Sequence, residues 1–226
     1  MYRTKPRTKK IHTRKYKKKN NASRTGVRYT SRAIVPRIMR LKMPYVSDAI
    51  KVDCDAGVFT SYMYNFNSIF DPDRTGIGHQ PMGHDQWISL YDRYLVTGAQ
   101  IQVDAWNITD ASPFKMAFGT NHNAFGPTDF ATATENPRFR TIIGGGQYSI
   151  LKLRKYLTAS QVMQITNQRF LSDNSYSALF GASPTNIGTM QLFFQSFGSP
   201  QNLDIYFIIR IVYYVTLSEP VVLLQS

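Results

Sequence analysis

Glutamate and cysteine are almost missing from this 226-residue chain, which holds only Glu135, Glu219 and Cys54 of those types. A single thiol excludes an intrachain disulfide, so nothing in the sequence calls for an oxidising compartment, and folding in the cytosol or nucleus is expected. Two glutamates leave paired-carboxylate catalysis little to draw on beyond the aspartates. No apolar run follows Met1 in the manner of a secretory signal, and no stretch reaches the roughly 20 uninterrupted apolar residues of a spanning helix. The most apolar segment, residues 203–217, is too short and contains Asp204 and Arg210. The sequence therefore predicts a soluble protein that is not exported and does not insert in a membrane.

A second absence is local. Residues 1–42 contain no Asp or Glu, yet they hold sixteen of the 27 Lys and Arg residues. The remaining 184 residues carry eleven bases against fourteen acids, so the whole formal charge of +13 resides in the N-terminal segment. Its first half runs Arg3, Lys5, Arg7, Lys9, Lys10, Arg14, Lys15, Lys17, Lys18 and Lys19. Arg24, Arg28, Arg32, Arg37, Arg40 and Lys42 follow. Large aliphatic side chains are few in its first half, and such a composition does not bury enough apolar surface to offset chain entropy, so disorder is expected there. Each cation that neutralises a phosphate releases a condensed counterion, which gives affinity for nucleic acid without sequence preference. Tyr2, Tyr16 and Tyr29 add rings on which bases stack. A mere solubility tail would mix both signs of charge, and a membrane-surface helix would show an apolar stripe in place of Pro6 and scattered threonines. The clusters Lys5 to Lys10 and Arg14 to Lys19 also match the basic patches read by nuclear import receptors.

From Val27 to Pro44 apolar residues mix with cations, which suggests a half-ordered tether; Pro36 and Pro44 argue against one helix. The division expected is a nucleic-acid-binding arm and tether over residues 1–42 and one β domain over residues 43–226. In that domain Leu203, Ile205, Phe207, Ile209, Ile211, Tyr213, Val215 and Leu217 occupy every odd position of a long segment. A period of two with many β-branched and aromatic residues predicts a long strand with one face in the core. Weaker alternation predicts strands at Val46 to Val52, Val58 to Phe66, Leu95 to Ala105, Phe114 to Phe118, Phe139 to Ile143, Ser149 to Leu157 and Met190 to Phe197. That number suits a two-sheet sandwich or jelly roll. Helices are minor: one of about two turns is expected with Asp85 as N-cap, and another at Thr158, where Gln161 completes a capping box. Residues 67–85, 121–137 and 166–188 are long, Gly/Pro/Asn-rich connections of the kind that usually has a purpose.

The densest cluster of polar residues, Asp71 to Trp87, reads DPDRTGIGHQPMGHDQW. His79, His84 and Asp85 invite a metal, but a zinc site needs three or four ligands, and Cys54 and His122 stand at no recognised spacing. Asp71 and Asp73 invite calcium without supplying an EF-hand pattern. Gly144, Gly145 and Gly146 lack the Lys-Ser/Thr of a phosphate-binding loop, and no nucleophile elbow, metalloprotease signature or dinucleotide fingerprint is present. No cofactor and no catalytic residue is expected. Fourteen tyrosines exceed what a core takes easily, since each hydroxyl needs a partner, and tyrosine enrichment also marks protein interfaces.

With its Arg/Lys arm, the DPDRTGIGHQPMGHDQW segment, the following YDRYLVTGAQIQV and a last strand followed by Glu219 and Pro220, the chain resembles capsid proteins of circular, Rep-encoding single-stranded DNA viruses, the circovirus-like group. The resemblance spans the whole chain in layout, and its lysine-rich arm places it among divergent relatives. It implies one eight-stranded antiparallel jelly roll and an icosahedral shell of about sixty copies, with the arms on a single-stranded DNA genome and assembly in the host nucleus. About sixty arms would neutralise on the order of a thousand nucleotides at one phosphate per cation. Coat proteins of small single-stranded RNA viruses share this architecture and are the main alternative. A cellular nucleic-acid-binding protein is a further one, and a jelly-roll enzyme or lectin with a targeting tail another.

Overall fold

The last strand organises both the core and one sheet. The computed structural model describes residues 35–54, 59–76, 78–108, 112–122, 126–144, 149–196 and 203–222. In β10 (Leu203–Pro220) every odd residue from Leu203 to Leu217 is buried, while the even ones remain half-exposed. This 18-residue strand pairs antiparallel with β1 (Ile38–Val46), with β2 (Ile50–Cys54) and with β4 (Tyr91–Asn107). On its other side β4 pairs with β7 (Ile150–Thr158), and near its start with the short β8 (Ala178–Leu179). The sheet order is β1-β10-β4-β7.

A second sheet has the order β3-β9-β5-β6, from β3 (Phe59–Asn65), β5 (Phe114–Asn121), β6 (Arg140–Gly144) and β9 (Thr189–Ser196). The eight principal strands form two antiparallel four-stranded layers, a jelly roll, with β2 and β8 as short additions to the first. Between the layers lie Phe118, Phe194 and Leu192 from one sheet and Ile101, Val103, Phe207 and Ile209 from the other, all fully buried. Phe194 stacks on Phe207 across the gap, with ring centroids 5.0 Å apart. A smaller apolar cluster lies on the far side of the four-stranded sheet. There Phe130 and Ala133 of α2 (Phe130–Glu135) cover Ala117, Phe139 and Phe193.

Several expectations are corrected. The strand expected at Val46 to Val52 is interrupted at residues 47–49. There the Ser47 amide donates to Ile209 O, and its Oγ accepts from the Ile209 amide, so the chain steps from β1 to β2 beside one partner strand. Residues 38–44 of the expected tether belong to β1, and residues 27–34 lie outside the described residues. Pro44 is tolerated because β1 is an edge strand in which a missing donor need not face a neighbour. The helix expected from Asp85 is α1 (His84–Ile88), capped by Gly83 in the left-handed region at φ 85°. The Asp85 carboxylate instead accepts from His84 Nδ1 at 3.1 Å. The expected capping box is present in α3 (Ala159–Met163), where Thr158 and Gln161 bond reciprocally. Two of the long connections contain structure that the pattern did not reveal: α2 in residues 121–137, and α4 (Asn167–Ser172), a 3-10 turn at Asn174–Tyr176 and β8 in residues 166–188. The glycines at 145 and 146 lie outside the described residues.

Candidate nucleic-acid interface

Of the sixteen cations singled out in the N-terminal segment, thirteen, from Arg3 to Arg32, lie outside the described residues, and the expected disorder of the arm falls there too. Arg37, Arg40 and Lys42 are described, and all three are exposed. Strand geometry sorts the residues around them. Met43 and Tyr45 point into the core and Met39 and Leu41 pack against it, whereas Ile38, Arg40, Lys42 and Pro44 point outward. The Lys42 ammonium stands 5.1 Å from the centroid of the Tyr214 ring on the neighbouring β10. Arg40 lines a groove of about 570 Å³ with Thr97, Tyr214, Thr216 and, from α4, Asn167 and Leu171.

Sheet order brings further cations to the same face. Arg210 on β10 lies opposite Gln102 on β4, which lies opposite Arg154 on β7; one step along, Asp104 lies opposite Lys152. Arg210 donates to the Asp104 carboxylate, which also accepts from Gln102 Nε2 at 3.2 and 3.0 Å. At the same sheet's other end Lys51 meets Asp53 at 3.0 Å and Asp204 at 3.1 Å, and these carboxylates raise its pKa. Among the described residues Arg40, Lys42, Lys152 and Arg154 have no carboxylate within ion-pair distance. Sequence reading did not single out Lys152 and Arg154 alongside the cations of the N-terminal segment. The signal was present, since Lys152, Arg154 and Tyr156 alternate with Leu151, Leu153 and Leu157, the pattern of a strand with a basic outward face.

The polar segment at residues 71–87 is a packed loop. Asp73 accepts from the Thr75 amide at 2.9 Å and from Thr75 Oγ1 at 2.8 Å, closing a local turn. Asn65 Nδ2 donates to the Asp71 carbonyl at 2.6 Å. Burial, with Asp73 nearby, raises the Asp71 carboxyl pKa. His79 faces two carbonyl oxygens, Gln80 O at 2.8 Å and Val46 O at 2.9 Å, which raise its pKa, and its ring lies 4.8 Å from that of Tyr45. His84 is buried against Phe180, ring centroids 5.2 Å apart. Asp71 and His122 share the wall of a polar cavity of about 470 Å³ with Asn65 and Arg74. Among the described residues no three His, Cys, Asp or Glu side chains gather as metal ligands would.

No protein-family model matches the sequence, and comparison with curated proteins likewise finds no match. Solved structures do match. The chain is similar to one from the giant freshwater prawn Macrobrachium rosenbergii nodavirus, described as a semi-empty virus-like particle, with TM-score 0.53 and 12% identity over 86% of this chain and 100% of that one. A second Macrobrachium rosenbergii nodavirus structure matches with TM-score 0.52 and 12% identity, over 99% of this chain and 64% of that one. A structure of Desmodium yellow mottle tymovirus gives 0.45 and 10%, over 87% and 99%. With two antiparallel sheets in the order described above, the chain has the jelly-roll fold of the nodavirus structures.

Proposed function

We propose that this chain is the coat subunit of a small virus, a structural protein that assembles with its own copies into a closed shell and binds the genome through its basic N-terminal segment. One observation carries the reading: residues 43–226, of net charge −3, follow 42 residues with sixteen cations and no acid, and the last of those residues enter the first strand of a jelly roll. A cellular nucleic-acid-binding protein would concentrate basic charge on the body, whereas here the excess precedes it. A single-stranded RNA cargo has the better support, because the structural neighbours are coat proteins of such viruses. The circovirus-like DNA reading keeps the support of residues 71–87 and 91–103, which resemble that group's capsid proteins. A shell of about sixty copies, the smallest closed icosahedral arrangement, and nuclear import through the clusters at residues 5–10 and 14–19 belong to that second reading.

The test is to express the full chain and examine it by electron microscopy and sedimentation. Uniform closed particles holding nuclease-resistant nucleic acid are expected. A strictly monomeric species at every salt and pH would refute the reading. Assembly on RNA and DNA single strands of equal length, in competition, then decides the cargo.

A further inference from the structure

The outward face of the six-stranded sheet carries two rows of rings with cations beside and between them. In the first row Lys42, Tyr214 and Gly98 lie opposite one another on β1, β10 and β4. Gly98 has no side chain to fill its place, and a Cβ there would stand 3.0 Å from the Tyr156 hydroxyl. The Tyr156 ring therefore lies across the glycine and meets Tyr214 edge to face, with centroids 5.4 Å apart at 85°. Lys42 approaches Tyr214 from β1, so one row crosses four strands. Eight residues along β10, Tyr206 pairs with Trp106 of β4 in a stacked arrangement, centroids 6.2 Å apart at 18°. The two rows stand about 26 Å apart along the strands.

Charge follows the margins. Asp104 satisfies Arg210 in the middle of the face. The four cations without a carboxylate partner flank it, Arg40 and Lys42 on β1 and Lys152 and Arg154 on β7; the two strands lie about 14 Å apart across three strand spacings, and the register sets Lys42 and Arg154 a further ~13 Å apart along them. Cross-strand pairing alone accounts for rings that meet on a sheet surface. It does not account for Tyr156 being 54% exposed between unpaired cations. Cations bind any polyanion, but the exposed Tyr156 and the half-exposed Tyr214, Trp106 and Tyr206 add stacking that only unpaired bases accept, because the bases of a duplex are already stacked on one another.

We propose that this face is a second nucleic-acid site, selective for single strands: phosphates meet the marginal cations, and bases stack on Tyr156, Tyr214, Trp106 and Tyr206. The proposal deepens the coat-protein reading and rests on it only for the source of the strand. Single-strand-binding folds that combine a basic groove with stacking rings cover on the order of 4–16 nucleotides, a length this face matches.

Trp106 and Trp87 are the only tryptophans, so the full chain carrying Trp87→Phe reports on Trp106 alone. Titration with oligouridylate or oligothymidylate is expected to quench Trp106 fluorescence, whereas inorganic polyphosphate and a duplex of equal charge leave it unchanged. The native chain compared with Trp106→Phe gives the same reading without relying on the Trp87 variant. Tyr156→Ala and Tyr206→Ala should each weaken the quenching titration roughly tenfold. Lys152→Ala with Arg154→Ala should lower the salt dependence of single-strand binding by about 1.4 in log–log slope. Oligonucleotide binding without quenching, or equal quenching by polyphosphate, would overturn the proposal. Particle formation is scored in the same samples by microscopy. Particles without quenching reject this site and leave the shell, and quenching without particles does the reverse.

Discussion

Single residues set how tightly the sandwich closes. Gly119 lies in β5 on the side facing away from the main core, directly under Phe139, and a Cβ there would fall 2.3 Å from the ring. Gly119→Ala should displace that ring and cost about 1–3 kcal/mol, as overpacking does, lowering the thermal midpoint by several degrees. Tyrosines make the second residue-scale prediction. Burial pushes the Tyr45 hydroxyl up to about 12, with Asp73 adding to the effect, and burial pushes Tyr94 to about 12 as well. Tyr213, whose hydroxyl donates to Asn65 O at 3.0 Å, is pushed well above its ordinary value. These groups stay neutral in the fold while their unfolded counterparts ionise near 10, so the stability they give is complete below pH 10 and falls as pH rises towards 12. Each contributes a slope of up to about 1.4 kcal/mol per pH unit in that window. Urea midpoints measured from pH 8 to 12 should fall steeply only above 10, and a flat profile would contradict the assignment.

Elements differ in how plainly the sequence announces them. Alternation reveals β10 because its odd residues meet one continuous core, and the capping box reveals α3 because both of its hydrogen bonds are local. Removing that box by Thr158→Ala should cost about 1 kcal/mol in chemical denaturation. By contrast α2 and α4 have six residues each, too few for a helical period to show, and they form because Phe130 and Phe170 find cover in the tertiary structure. β1 escaped for a different reason. Its period-two pattern of Met39, Leu41, Met43 and Tyr45 is complete, but the cations between them read as a continuation of the charged segment. The candidate interface was least legible. Lys42, Tyr214, Trp106 and Tyr156 come from four strands and meet only through the order β1-β10-β4-β7, which no local pattern encodes.

At the scale of the molecule, charge and geometry are assigned to different parts of the chain. Replacing the ten cations from Arg3 to Lys19 by glutamine in the full chain should leave the fold, read by circular dichroism, unchanged. The same change should flatten the salt dependence of nucleic-acid binding, since each lost phosphate contact in a single strand removes about 0.7 from the slope. Full retention of that dependence would move the principal site to the sheet face. The two sheets also differ in what covers them. Beyond the four-stranded sheet lie α2 and the Phe130–Phe139–Phe193 cluster, whereas the described outward surface of the six-stranded sheet is mostly side chains, with α4 at one end. A subunit upholstered on one side and bare on the other carries its own compass. In the proposed shell, copies joined edge to edge would need no further signal to agree on which side turns to the cargo, because a reversed copy would set the α2 side against phosphates and leave Arg40, Lys42, Lys152 and Arg154 facing away from them.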